Sequence, residues 1–162
     1  MEQCRGDPPM EGGQVVVDAS VVVKWFVVEE YSREARLMLD AYVEGLADLA
    51  VPELLSFEVP NALRYSGAFG EDELKEAARA LEDFQLALFR LESGLALRAV
   101  EVAMRKDITV YDASYVTLAE LLGTTLYTAD KKLLRKTRDL GGRETRVRVQ
   151  RLGPWAGALE TA

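Results

Sequence analysis

Short, strongly apolar runs alternate along this chain with longer stretches of helical periodicity, and that alternation restricts the possible folds more than any other feature. The runs at 14–17, 48–51, 124–128 and 146–152 are too short for helices and suit buried strands. Between them, apolar residues recur three and four apart, as one face of a helix requires. Ala35, Leu37, Met38, Leu39, Tyr42 and Val43 do so over 32–43, with Ser32 as the expected N-cap and Gly45 as the stop. Leu74, Ala77, Ala78, Leu81, Phe84 and Leu88 predict a helix over 71–88, and Leu97, Val100, Val102, Ala103 and Met104 another over 93–106. Further helices are expected from Pro52 up to Ser66, from Asp112 to Leu122 with Gly123 behind it, and from Asp130 onward. Pro60 should kink its helix or make it restart, because the ring crowds the carbonyl four residues back and removes an amide donor. This order of elements predicts an α/β fold, a three-layer α/β/α sandwich with a mostly parallel central sheet.

The length of 162 residues and hydrophobic content of 49% fit a single domain with one core. Residues 14–153 are expected to form it, with 1–13 a flexible N-terminal extension, in which Met10 is a second candidate start, and 154–162 a C-terminal tail. Histidine does not occur in the sequence, which excludes Ser-His-Asp and Cys-His triads, His-ligated zinc and imidazole acid–base catalysis. Cys4 is the only cysteine, so a disulfide framework and a Cys-rich metal site are excluded, and a reducing, cytoplasmic setting is expected. The first residues, MEQCRGDPPMEGG, lack an apolar signal segment, and the later apolar run is interrupted by Asp18, Lys24 and Trp25. No membrane association is expected.

Four acidic residues stand where an apolar element ends or turns: Asp18 in VVVDASV, Glu58 in SFEVPNAL, Asp112 in VYDASYV and Asp130 in LYTADKKL. Singly, Asp112 and Asp130 suit helix N-caps. Asp18 is harder to explain so simply, because a carboxylate between two valine runs is costly if buried without a partner. A strand that ends at Asp18 removes that cost by placing the acid at the carboxyl edge of the sheet, where open α/β folds bind their ligands. Gathered there, the four acids would form an all-oxygen pocket suited to Mg²⁺ or Mn²⁺. Two such ions about 4 Å apart favour in-line attack on a phosphodiester.

Net charge is −7, but unevenly distributed. Residues 131–151 hold nine basic residues against two acids, a net +7, which leaves −14 for the rest of the chain. Lys131, Lys132 and Arg135, directly after Asp130, are the RNA-binding candidates, since phosphates could dock there beside a metal. The bland reading is a solvated helix followed by an edge strand guarded by arginines.

Together, VVVDASV around Asp18, the E-x-x-N-A-L element of Glu58, Asn61 and Leu63, YDASYVTLAE and TADKKL resemble the PIN domain family, in particular the VapC-like toxins of toxin–antitoxin pairs. The resemblance implies a metal-dependent endoribonuclease with a three-layer fold, whose catalytic, metal-binding acids are Asp18, Glu58, Asp112 and Asp130. It assigns Ser20 and Thr128 as hydroxyls that orient a carboxylate or water, and Asn61 as the polar neighbour of Glu58. Pro60 departs from the family pattern. An RNA substrate, a homodimer and a cognate antitoxin protein that blocks the site are implied as well, and Trp25, Phe26 and Phe69 are open to two readings, partner anchors or core. A rival of another class is a non-catalytic RNA- or protein-binding module of the same fold, its acids serving as caps. Phosphoryl transfer of the haloacid dehalogenase type fits poorly, because Ser20 stands where that chemistry needs a second acid, and no G-x-x-x-x-G-K loop occurs.

Overall fold

The computed structural model describes residues 14–92, 94–141 and 148–151. Its middle layer is a five-stranded sheet of β1 (Gln14–Val17), β2 (Asp48–Pro52), β3 (Ala87–Phe89), β4 (Thr125–Thr128) and β5 (Arg148–Arg151), in the order β3-β2-β1-β4-β5. Every pairing is parallel, with Val16 beside Ala50 on one flank and Leu126 on the other. Parallel neighbours need helical crossovers, and these cover both faces of the sheet. Val15, Val16 and Val17 are accordingly all buried, as are Leu49, Ala50 and Val51.

Helices α1 (Ala19–Val22), α2 (Ser32–Val43), α3 (Leu55–Tyr65) and α4 (Glu71–Asp83) serve the strands from β1 to β3. The chain returns through α5 (Gly94–Lys106) and α6 (Val110–Leu122) to β4, then through α7 (Lys131–Lys136) to β5. Right-handed crossovers that reverse direction change face. The contacts agree: α1 packs with α2 and α3, and α3 with α4, whereas α5 packs on α6 and α6 lies over β1, β2 and β4. The reversal also leaves a crevice between the carboxyl ends of β1 and β4, the switch point at which such sheets bind ligands.

Helix α6 is the most enclosed element, with every residue from Ala113 to Ala119 buried. Its buried hydroxyls bond within the helix, Thr117 Oγ1 donating to the Ala113 carbonyl at 2.7 Å and Ser114 Oγ to that of Tyr111 at 2.5 Å. Gly123 closes it at φ 62, and Gly45 follows α2 at φ 75, so both predicted stops hold. Trp25 is core: its Nε1 donates to the Ala35 carbonyl at 2.9 Å, and its ring meets Phe84 edge-on at 5.4 Å. Phe26 and Phe69 also pack, partly buried, against that core.

Several expected boundaries move. The helix expected over 71–88 ends at Asp83; Gln85, at φ 51, turns the chain, and Ala87–Phe89 pairs with β2 as an edge strand. Pro52 closes β2 rather than opening a helix, with α3 starting at Leu55. Helix α3 runs unbroken through Pro60, so no restart occurs and the turn bearing Glu58 stays continuous with the rest. Ser32 does not cap α2; its Oγ accepts from the Glu29 amide at 2.9 Å and donates to the Val27 carbonyl at 2.8 Å, which fastens the preceding loop. The expected parallel sheet holds, each pairing among the described residues being parallel. The expected extension 1–13, the tail 154–162 and the ends of the strand expected at 146–152 lie outside the described residues. Among the described residues no helix is long and apolar enough to cross a membrane.

Leu118, fully buried on α6, tests how far the sheet depends on this helix. Leu118→Ala should lower unfolding stability by about 2–5 kcal/mol in urea denaturation.

Candidate active site

Strand β1 ends on Val17, and the next residue, Asp18, takes the extended N-cap position of α1. Its carbonyl accepts from Val21 and Val22, while its own amide donates to the Tyr127 carbonyl of β4 at 3.0 Å. The side chain is 4% exposed. Ser20 Oγ donates to Oδ2 at 2.6 Å and Thr128 Oγ1 to the same oxygen at 3.1 Å. Ser20 Oγ in turn accepts from the Ala129 amide, and Thr128 Oγ1 from that of Asp130, each at 3.0 Å. The two hydroxyls therefore tie the carboxyl ends of β1 and β4 together around one carboxylate.

The other acids approach from the helices. Glu58, half-buried in the first turn of α3, accepts from Tyr115 Oη at 2.8 Å. Asp112 lies in the first turn of α6 but is not its cap; Thr109 is, its Oγ1 accepting from the Asp112 amide at 3.0 Å. The capping alternative for Asp112 is thereby overturned, and its carboxylate is free of the backbone. Asp130 does cap, with Oδ1 accepting from the Lys132 and Leu133 amides at 2.9 and 3.1 Å.

Electrostatics join the four. Burial pushes the Asp18 carboxyl up to about 6 against the pull of Ser20 and Thr128, and the charge of Asp112 adds to the rise. Burial likewise takes Glu58 up to about 7, with Asp18 and Asp112 contributing. Asp112 is raised by burial and then by Asp130. Burial and the neighbouring acids hold the Tyr115 phenol far above its ordinary range, which keeps it a donor. No ion pair neutralises Asp18, Glu58 or Asp112 among the described residues. This all-oxygen, undercompensated set fits a hard divalent cation in its chemistry. As they stand, no three acidic side chains among the described residues form a group able to ligate one ion.

Asp112 and Asp130 open onto a cleft of about 350 Å³ that Thr109, Lys132 and Lys136 also line. Lys132 is the cation whose field reaches Asp112. Lys136 is committed to Asp107, at 3.0 Å from Oδ2, and Lys131 stands 3.9 Å from Glu30. Arg135 is exposed. A larger cavity of about 620 Å³ lies away from the acids, beside Phe89, Thr117 and Leu121, where Arg98 and Glu120 neutralise each other at 3.0 Å. Asn61 is exposed and makes no hydrogen bond to Glu58. The hydrogen bond to Glu58 comes instead from Tyr115, which the sequence contains within YDASYV, one turn beyond Asp112 on the same helix.

Fold and cluster together define an α/β/α protein that concentrates acids at the switch point of a parallel sheet. The chain belongs to the PIN domain family, whose sequence model matches residues 15–139. Ribonuclease VapC3 of Pyrobaculum aerophilum is 35% identical over 127 residues, which cover 76% of this chain and 94% of that one. Exonuclease VapC9 of the same organism is 32% identical over 99 residues, 61% of this chain and 74% of that one. Among solved structures, a toxin–antitoxin complex from Klebsiella pneumoniae matches with a TM-score of 0.57 at 19% identity, over 82% of this chain and 94% of that chain. VapC-type ribonucleases of the PIN domain family generally depend on a divalent metal.

Asp18 and Glu58 hold protons more tightly in the folded than in the unfolded chain, so acid favours the metal-free fold. Their contribution is complete below about pH 4 and is lost as pH rises through about 6 and about 7. The thermal midpoint in EDTA should fall between about pH 5 and about pH 8, and Asp18→Asn should flatten the fall. Tyr115→Phe removes the donor to Glu58 without opening a cavity; divalent-ion affinity measured by calorimetry should drop several-fold with the fold intact.

Proposed function

We propose that this chain is a metal-dependent endoribonuclease that hydrolyses RNA phosphodiester bonds, the toxin of a toxin–antitoxin pair. The reading is carried by one observation: Asp18, held by Ser20 and Thr128 across two strands, shares an undercompensated field with Glu58, Asp112 and Asp130. It is supported by the relatives named as ribonucleases and by the absence of histidine from the sequence, which leaves no imidazole to act as acid or base.

Mg²⁺ or Mn²⁺ bound by these acids would supply a Lewis acid for the phosphoryl oxygens and lower the pKa of the attacking water. Asp18, Glu58, Asp112 and Asp130 would hold the ion, with Ser20 and Thr128 fixing the aim of Asp18. Tyr115 positions Glu58. Lys132, at the mouth of the cleft, meets the phosphate backbone with Lys131 and Arg135 beside it. Attack by external water, rather than the ribose 2′-OH, leaves 5′-phosphate and 3′-hydroxyl ends. A homodimer and an antitoxin that occupies the site are the expected partners, the latter supported by the likeness to a toxin–antitoxin complex.

Purified protein with Mg²⁺ or Mn²⁺ should cut RNA internally, lose that activity in EDTA, and lose at least about a hundredfold in rate in Asp18→Asn and Asp112→Asn. Cleavage unaffected by EDTA, or cyclic phosphate ends, would refute the mechanism. A non-catalytic binding module would instead retain its function in both variants. The exonuclease relative favours a second mode, decided by whether a circular RNA is cut.

A further inference from the structure

The face of α3 that carries Glu58 continues beyond it. Asn61 and Tyr65 stand three and seven residues on, along the same stripe of the helix. Tyr65 is 75% exposed, although a ring of its size ordinarily finds cover. The guanidinium of Arg64 lies 5.3 Å from the centroid of that ring. Arg64 is exposed, and no carboxylate pairs with it among the described residues. Glu71 shares a recess with Arg64 but is paired with Lys75 at 2.7 Å. Asn61 is exposed with its amide unbonded. An unspent amide and an exposed ring thus follow Glu58 on one stripe, and the Arg64 guanidinium, which starts off that stripe, reaches across to the ring.

We infer that Asn61, Arg64 and Tyr65 form a track for single-stranded RNA on one side of the scissile bond, with a nucleobase stacked on Tyr65 and a backbone phosphate met by Arg64. The inference rests on the ribonuclease reading and adds to it a binding site outside the acids. Seven residues of helix place Tyr65 ~10.5 Å from Glu58 along the axis, about the length of three stacked nucleotides at ~3.4 Å each. Every base offers a π-face, so a lone ring on such a track grips the strand with little regard to sequence, and an arginine against the ring adds attraction for phosphate. Tyrosine and arginine are also frequent anchors for proteins. The unpaired charge beside a phosphate-directed site favours RNA over that occupant.

Steady-state cleavage of an unstructured RNA oligonucleotide in Mg²⁺, by wild type, Tyr65→Ala, Tyr65→Trp and Arg64→Gln, decides the matter. Tyr65→Ala should raise KM about tenfold with kcat within about twofold, and Tyr65→Trp should restore KM. The indole added in Tyr65→Trp should lose fluorescence when the RNA is mixed in, as stacking requires. Arg64→Gln should raise KM and make it less sensitive to salt. Unchanged KM in Tyr65→Ala, with no quenching in Tyr65→Trp, overturns the inference while leaving an active ribonuclease intact. A shift of oligomeric state on size-exclusion chromatography at unchanged KM also overturns it and makes the strip a protein contact. If wild type cuts no RNA at all, the ribonuclease reading fails, whereas the quenching still reports on the track by itself.

Discussion

One buried carboxylate organises this molecule. Asp18 sits where the sheet reverses its direction of growth, its amide bonded to β4 and its Oδ2 held by hydroxyls from two separate segments. Such a group is costly to bury, and neutral donors offset only part of that cost. What remains is a local demand for positive charge. Asp112 sharpens the demand, since it raises the proton affinity of Asp18 and Glu58 in place of relieving it. A fold that tolerates this is one in which the deficit has a use, and helices packed over both faces of the sheet provide the stability that sustains it.

Much of the architecture was legible because parallel strands buried on both faces leave unbroken apolar runs, and valine-rich β1 is the clearest. The edge strand β3 was not, because Ala87, Leu88 and Phe89 also satisfy the helical spacing set by Leu81 and Phe84, and only the positive φ at Gln85 separates them. Of the site, Asp18 stood out as an acid among valines, whereas Ser20 and Thr128 were singled out only by the family resemblance. The role of Asp112 was half read: its proximity to a helix start suggested a cap, yet Thr109 takes that duty. Tyr115 escaped notice because a tyrosine on a buried helix looks like packing until its hydroxyl is placed against Glu58. Pro60 misled in the opposite sense, since the loss of one amide does not break a helix held down by Leu55, Val59 and Leu63.

The distribution of charge follows the same logic. Lys24 is engaged with Glu29, and Lys136, which lines the cleft, with Asp107. Among the described residues Lys132 is the cation that leans toward Asp112, from the side of the cleft. Basic residues thus surround the cluster without collapsing onto it, which keeps the acids available to a mobile cation and leaves the rim able to meet a polyanion.

The hydrogen bond from Thr128 to Asp18 spans 110 positions of sequence. A ribosome releases the first of these residues long before it makes the second, so the growing polypeptide carries an incomplete and inert pocket through most of its synthesis. Only when the strand ending at Thr128 slides in beside its partner does the last wall arrive, together with Asp130. The pocket therefore closes late and all at once, near the end of the chain's emergence rather than piece by piece.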